Sequence, residues 1–262
     1  FTDAHREATE GLLASHFDQI TSGISKSLSI SISEVKELMD QGPFLAEEAM
    51  KIGLVTGVVY KDEVIKKIKE IVGQETEFLS LKTYLERVGR PNTKGEVVAL
   101  IYGVGPIERG KNDYDLTSGD LMMGSDSVTE AFQDAVKDDE VKAILFRVNS
   151  PGGSYVASDA IWRQTLLAKK AGKPVIVSMG NVAGSGGYFI AMGGDKIVAQ
   201  PGTITGSIGV YAGKMLTSQF WEKLGVSWDE VHIGQNATMW TGTKDFTTEQ
   251  WTQFQAWLDW VY

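Results

Sequence analysis

Ser185 occupies a position that is typical of a catalytic nucleophile. It lies in a run of small residues, 182–188, which follows the apolar stretch 174–179 and precedes the apolar stretch 188–192. This order predicts a strand, a tight turn and a helix. A serine at such a turn exposes its hydroxyl at the top of a sheet, and the helix that begins there points backbone N–H groups at whatever the serine attacks. The alternative is that the small residues only let the strand and helix pack closely.

Glycines at two predicted strand ends could bind the oxyanion that forms when a serine attacks a carbonyl group. Gly186 follows Ser185, so its backbone N–H is placed to bind that oxygen. The sequence Ser150-Pro151-Gly152-Gly153 ends another predicted strand, and one of its two glycines could supply a second N–H donor. An ordinary Pro-Gly turn is the alternative for this second segment.

A serine nucleophile also needs a base, and the residues alone leave its identity open. Ser207, 22 residues after Ser185, begins a predicted strand and could hold a base by a hydrogen bond; the alternative is a solvated loop serine. His232 shows no obvious carboxylate partner in the sequence and is interpreted as structural. A lysine with a lowered pKa is the other option, for which Lys214 and Lys244 are the candidates, although surface cations are the commoner role.

The composition excludes several classes of function. The 262 residues carry a formal net charge of −9, which argues against a surface for nucleic acid or for an anionic membrane. Cysteine is absent, so disulfides, thiolate metal sites and a cysteine nucleophile are excluded. The sequence has no His/Asp/Glu cluster with metal-ligand spacing, no phosphate-binding loop and no run of about 18 apolar residues that could span a bilayer. We therefore expect no metal and no cofactor.

The predicted elements change character at residues 91–95, the predicted linker. Residues 1–90 are predicted to be mostly helical, with helices at 4–20, from Ser33, at 45–52 and at 63–72, and a strand at 54–60. After the linker, strands are predicted at 96–102, 142–148, 174–179, 196–199, 207–211 and 228–233, and helices at 127–136, 156–171, 215–224 and 249–262. This alternation predicts an α/β domain with a mainly parallel sheet covered on both faces, whose ligands bind at the carboxyl ends of the strands.

Three motifs together resemble the signal peptide peptidase A family, whose members are Ser/Lys-dyad peptidases with the fold shared by Clp protease and crotonase. They are Asn149-Ser150-Pro151-Gly152-Gly153, Ala183-Gly184-Ser185-Gly186-Gly187-Tyr188 and Thr205-Gly206-Ser207-Ile208-Gly209. The segment 45–55 also resembles the closing segment of a domain of that superfamily. The resemblance implies that Ser185 is the nucleophile and that Gly153 and Gly186 are the oxyanion donors. It also implies that Ser207 hydrogen-bonds the lysine amine.

The long form of this family has two tandem domains, of which the first carries the lysine and the second the serine. The resemblance implies that residues 1–90 are the C-terminal part of the first domain, and that 96–262 are the serine-bearing domain, truncated at its C-terminus. Phe1-Thr2 before the first helix matches Phe246-Thr247 before the last, as a tandem repeat predicts. Single-domain members place their lysine a few residues after a glycine that Gly234 resembles, but residues 232–238 contain no lysine. We therefore expect the catalytic lysine just upstream of Phe1 and expect residues 1–262 alone to be inactive.

The resemblance also implies a function and a location. It implies a serine endopeptidase that degrades cleaved signal peptides, which are hydrophobic peptide substrates. It further implies a ring-shaped homo-oligomer at the bacterial inner membrane, with its catalytic part facing the periplasm and its membrane anchor outside this chain. Two other classes stay open on the residues alone: a crotonase-like acyl-thioester enzyme, which needs no serine, and a non-catalytic assembly module.

Overall fold

The computed structural model describes residues 1–89, 94–115, 117 and 119–262. The chain divides into two compact units, Phe1–Gly95 and Glu96–Tyr262. Of the predicted linker, residues 91–93 lie outside the described residues.

The first unit consists of helices. They are α1 (Asp3–Leu28), α2 (Ile32–Gln41), α3 (Ala46–Lys51), α4 (Lys61–Val72) and α5 (Leu81–Val88). Helices α1 and α2 pack against each other and contain the buried residues Thr21 and Val35. The predicted strand at 54–60 is wrong, because that segment forms bends and irregular chain. A short β-branched run becomes a strand only beside a pairing strand, and the described part of this unit contains none.

The start of α2 depends on a different serine from the one predicted. Ser31, not Ser33, is the N-cap: its Oγ accepts a hydrogen bond from the Glu34 N–H at 3.2 Å. In return, the Glu34 carboxylate accepts the Ser31 N–H at 2.8 Å, which completes a capping box. Hydrogen bonding by the Ser31 side chain, and next by the Ser31 backbone N–H, lowers the pKa of the Glu34 carboxyl. Ser33 therefore lies inside the first turn of the helix.

The second unit alternates strands and helices around a parallel sheet. Its elements are β1 (Val97–Val104), β2 (Ile107–Glu108), β3 (Asp113–Tyr114), β4 (Leu121–Gly124), α6 (Ser125–Lys137), β5 (Val141–Ser150), α7 (Tyr155–Lys170), β6 (Val175–Gly184), α8 (Gly186–Ala191), β7 (Lys196–Val198), β8 (Ile204–Gly206), α9 (Ser218–Lys223) and α10 (Thr248–Val261). The main sheet has the order β1-β5-β6-β7, and β8 pairs in parallel with the end of β6. Strands β2, β4 and β3 form a second, small sheet. The predicted α/β class with a mainly parallel sheet is confirmed.

One face of the main sheet carries the hydrophobic core of this unit. Ile144, Phe146 and Val148 of β5 are fully buried there, and the Phe146 ring meets Phe132 of α6 edge-on at 5.1 Å. Helices α6, α7 and α8 pack side by side over this face. On the opposite face Leu100 is about half exposed, at 51%. Within this unit the sheet is therefore covered by helices on one face, not on both as predicted.

The start of β6 is held by an acidic side chain from the segment between α8 and β7. Asp195 Oδ2 accepts the Val175 N–H at 2.8 Å, and Lys169 Nζ lies 3.3 Å from Asp195 Oδ1. The Val175 N–H, assisted by Lys169, lowers the pKa of the Asp195 carboxyl below its ordinary value. The carboxylate thus joins α7 to the first residue of the strand that leads to Ser185.

Two further strand predictions in the second unit are wrong. Residues 207–211 are not a strand, because the strand is β8, which ends at Gly206 where Gly206 and Ser207 both have positive φ angles. Residues 228–233 are irregular chain with no pairing strand. The predicted helix at 215–224 is present only as the shorter α9.

Candidate active site

Ser185 forms a strained turn between β6 and α8. Its φ of 51° and ψ of −119° lie in a region that non-glycine residues rarely adopt, which costs on the order of 1–3 kcal/mol. The turn is held by its backbone, since the Ser185 N–H donates to the Gly206 carbonyl and the Ser185 carbonyl accepts from the Phe189 N–H, both at 2.9 Å. The side chain caps no helix and is half-buried. The hydroxyl is therefore not used to cap α8.

The Gly152-Gly153 loop packs directly against this turn. A methyl group placed on Gly152 would lie 2.7 Å from the Gly186 nitrogen and 2.8 Å from Ser185 Cβ. A methyl group placed on Gly186 would in turn lie 3.2 Å from the Gly153 nitrogen. Such close approach requires glycine at both positions. The structure thus brings Gly153, Ser185 and Gly186 together, three of the four residues that the sequence proposes for the site.

The N–H groups of Gly153 and Gly186 are both available to a ligand. Gly153 forms a parallel bridge with Ile107, in which the Ile107 N–H donates to the Gly152 carbonyl and the Ser154 N–H donates to the Ile107 carbonyl. In this arrangement the Gly153 N–H points away from Ile107. Gly186 is the first residue of α8, whose N–H has no partner within the helix. No described residue accepts a hydrogen bond from either group.

Ser207 lies next to the same turn. It directly follows Gly206, the residue whose carbonyl accepts the Ser185 N–H, and its Cβ is 3.9 Å from the point where a Cβ on Gly184 would sit. Its φ is also 51°, and its side chain is exposed. Ser207 therefore follows a strand instead of beginning one, but it does lie beside Ser185.

The three side chains considered as a base have partners elsewhere in the second unit. Lys214 Nζ donates to the Met239 carbonyl at 2.9 Å. Lys244 and His232 both pair with the Glu230 carboxylate, with His232 Nδ1 3.6 Å from Glu230 Oε1. The interpretation of His232 as a residue without a carboxylate partner is therefore wrong. Glu230 and Lys244 line a cavity of about 330 Å³ whose lining includes none of the four site residues.

Two buried serines support the site and were missed from sequence. Ser150 Oγ accepts the Gly152 N–H at 3.1 Å, which shapes the glycine loop. Ser158 Oγ would lie 2.6 Å from a methyl group on Gly186, so it packs under the first turn of α8. Ser150 stands in the same motif as Gly153, which is a usable signal. Ser158 shows no sequence signal because its contact is with Gly186, which lies on another helix. Among the described residues no group of three or more His, Asp or Glu side chains could hold a metal ion.

Two family models match the second unit. A model described as Peptidase family S49 matches residues 167–262, which include Ser185 and Ser207. A model described as Clp protease matches residues 125–203, which include Gly153, Ser185 and Gly186. Both matches therefore cover the turn at Ser185.

Three known proteins are similar to most of the chain. Serine protease SPPA, chloroplastic, from Arabidopsis thaliana is 31% identical over 245 residues, 91% of this chain and 36% of that protein. Protease 4 from Haemophilus influenzae is 35% identical over 211 residues, 76% of this chain and 32% of that protein. Protease 4 from Salmonella typhi is 33% identical over 228 residues, 86% of this chain and 36% of that protein. Residues 167–262 belong to the sequence family described as Peptidase family S49.

The relatives that the chain matches are named as proteases, and the sheet and helices of the chain's second unit have the fold of Clp protease. The chain spans about a third of the length of the relatives it matches. In the part of the chain that the structure describes, no helix is both long enough and apolar enough to span a membrane.

Proposed function

We propose that Ser185 is the nucleophile of a peptide-hydrolysing site. Its oxygen attacks the scissile carbonyl carbon, and the N–H groups of Gly153 and Gly186 bind the oxyanion that develops. Collapse of this intermediate expels the amine and leaves an acyl-enzyme, which water then hydrolyses. The observation that carries the proposal is the strained Ser185 turn, whose uncommitted hydroxyl lies beside two backbone N–H groups that no described residue accepts.

We propose a neutral lysine amine as the base, held by Ser207. A lysine can accept the serine proton only if its environment keeps it deprotonated, and a hydroxyl partner would orient it. Lys214 and Lys244 have partners elsewhere. The resemblance to the long form of the family supports a lysine in chain outside residues 1–262. Serine and lysine would then be supplied by two tandem domains.

The two helix starts that matched in sequence support this tandem arrangement. Thr2 accepts the His5 N–H at the start of α1, and Thr247 accepts the Gln250 N–H at the start of α10. Both threonines have the same extended conformation, with φ and ψ of −72° and 160° at Thr2 and −69° and 168° at Thr247. We propose that residues 1–90 end a first domain and that 96–262 belong to a second, homologous one.

We propose hydrophobic peptides, and released signal peptides in particular, as the substrates. Aromatic side chains close to the glycine loop support an apolar substrate. Tyr155 stands two residues after Gly153, and its hydroxyl accepts a hydrogen bond from Trp257 Nε1 at 3.4 Å. Trp260 faces the same Tyr155 ring at 6.3 Å and is 75% exposed. The wider proposal is a ring-shaped homo-oligomer at the bacterial inner membrane, facing the periplasm and anchored by chain outside these residues.

Covalent labelling tests the nucleophile. The natural full-length protein is treated with a fluorophosphonate probe and the modified peptide is located by mass spectrometry. We expect one adduct, on Ser185, that is lost in Ser185→Ala and kept in Ser227→Ala, a matched change at an exposed serine. The protein would instead be a crotonase-like enzyme if the probe does not label Ser185 and if both the parent and Ser185→Ala hydrolyse acyl thioesters. Unchanged peptidase activity in Ser185→Ala would indicate an assembly module.

A further inference from the structure

Strand β6 does not run evenly to Ser185. Val148 of β5 pairs with Met179, but the next paired residue, Ser150, is opposite Ala183. Strand β6 therefore has two more residues than β5 over this interval, in the segment 180–182, which we call the β6 bulge. Before the bulge, β6 pairs with β7; from Val182, the last residue of the bulge, to Gly184 it pairs with β8. The bulge is where the strand changes partner and turns toward the site.

Backbone groups at the bulge form hydrogen bonds with side chains from two other segments instead of with a neighbouring strand. Asn149 Oδ1 accepts the Asn181 N–H at 2.9 Å and the Val182 N–H at 3.1 Å. Thr203 Oγ1 donates to the Gly180 carbonyl at 2.8 Å. Arg147 Nη1 donates to the carbonyl of the residue before the bulge at 2.6 Å. Because unpaired buried backbone groups are costly, these side chains select one geometry for the bulge.

Asn149 is packed closely enough to fix that geometry. A methyl group on Gly180 would lie 2.7 Å from Asn149 Oδ1, so glycine is required for the strand to approach the amide. The backbone carbonyl of Asn149 accepts the Gly105 N–H at 3.0 Å, which fastens the end of β5 as well. Asn149 therefore connects β6, the strand that precedes Ser185, with the segment that contains Gly153, which lies four residues after Asn149.

We propose that Asn149 is a positioning residue for the nucleophile. Through the β6 bulge it sets where residues 183–184 lie, and so where the strained Ser185 turn stands relative to the N–H of Gly153. Its side-chain oxygen binds backbone N–H groups of the bulge, not the Ser185 hydroxyl. The inference rests on the proposed function, since it assigns Asn149 a role only if Ser185 and Gly153 act in one reaction.

The test compares two variants of nearly equal size in the natural full-length protein. Asn149→Leu removes the acceptor, and Asn149→Asp keeps an oxygen that can accept both N–H groups. We expect Asn149→Leu to lower kcat and the rate of fluorophosphonate labelling of Ser185 about 10- to 100-fold, with little change in KM, because a misplaced reacting group loses rate rather than binding. We expect Asn149→Asp to recover most of that loss. Thermal unfolding by circular dichroism reports how much of each variant is folded.

The outcomes separate this inference from the proposed function. If the parent protein shows no adduct on Ser185, the proposed function fails. If the parent is labelled and folded Asn149→Leu reacts at the parent rate, or Asn149→Asp is as slow as the leucine variant, the positioning role is wrong. Should Asn149→Leu fail to fold, Thr203→Val removes the hydroxyl on the other side of the bulge at the same size. We expect Thr203→Val to slow labelling of Ser185 about 3- to 10-fold, because it should misplace the turn less than the loss of Asn149 does. An unchanged labelling rate would overturn the proposal.

Discussion

A methyl group added at Gly186 should disable the oxyanion site without removing any catalytic side chain. It would lie 2.6 Å from Ser158 Oγ, 3.2 Å from the Gly153 nitrogen and 3.3 Å from Gly152 Cα. Ser158 is fully buried and its hydroxyl donates to the Ser154 carbonyl at 2.9 Å, so it has no room to move aside. The backbone that carries the Gly186 N–H must therefore shift away from the glycine loop.

Gly184→Ala is the matched control on the other side of Ser185. Its methyl group would lie 3.8 Å from the Pro151 carbonyl oxygen and 3.9 Å from Ser207 Cβ, which is ordinary contact. Neither Gly184 nor Gly186 has a positive φ, so alanine is compatible with the backbone at both positions. The two substitutions therefore differ in where the methyl group points.

The size of the effect follows from the overlap. The 2.6 Å contact is about 0.8 Å shorter than the 3.4 Å lower end of ordinary contacts, so the N–H leaves its donor position. Loss of one oxyanion donor lowers kcat about 100- to 1,000-fold, or about 2.7–4 kcal/mol in activation free energy. Overpacking of this kind lowers the unfolding free energy by about 1–3 kcal/mol. We expect Gly184→Ala to keep kcat within about threefold, since one added methyl in ordinary contact changes little.

The assay measures kcat on a fluorogenic peptide, the labelling rate of Ser185 and denaturant unfolding for both variants. Adding Ser158→Ala to Gly186→Ala removes the closest atom and should restore part of the lost rate. Equal losses in the two glycine variants would show that the turn tolerates no side chain anywhere. Wild-type kcat in folded Gly186→Ala would refute the assignment of its N–H to the oxyanion.

Three further predictions concern stability. The backbone N–H of Val175, which Asp195 accepts, lowers the pKa of this carboxyl below its ordinary value of 3.8, so its contribution to stability is complete above that pH and is lost as the pH falls through the lowered value. The difference in melting temperature between the parent and Asp195→Asn should therefore stay constant above pH 3.8 and shrink only as the pH falls below it. Ser31→Ala should lower the unfolding free energy of the first unit by about 1 kcal/mol in a urea titration, whereas Ser33→Ala should leave it nearly unchanged, and the reverse order would contradict the observed cap. Phe146→Ala should cost about 3–5 kcal/mol in the same titration and Leu100→Ala, on the half-exposed face, clearly less.

Local patterns predicted the parts of the fold that local chemistry determines. The small-residue run around Ser185 and the glycines before α7 indicate tight turns at strand ends, and the structure has both. The predictions failed at residues 54–60, 207–211 and 228–233, where β-branched residues suggested strands. Strand formation depends on a neighbouring strand that supplies hydrogen bonds, and no property of these segments themselves records whether such a neighbour exists.

The features that sequence could not reveal are the ones that hold Ser185 in its strained conformation. A serine at a φ of 51° keeps that angle only while surrounding bonds compensate for its cost. Those hydrogen bonds involve residues far along the chain. The Gly206 carbonyl accepts the Ser185 N–H, and Asn149 Oδ1 accepts the Asn181 N–H of β6, the strand that precedes Ser185. Because Gly206 and Ser207 are adjacent in the chain, the contact that holds Ser185, the proposed nucleophile, also holds Ser207 beside it. Any change that loosens β8 should therefore misplace both hydroxyls at once, and Thr205→Val, which removes the hydroxyl that donates to the Ala183 carbonyl at 2.8 Å, is the smallest such change.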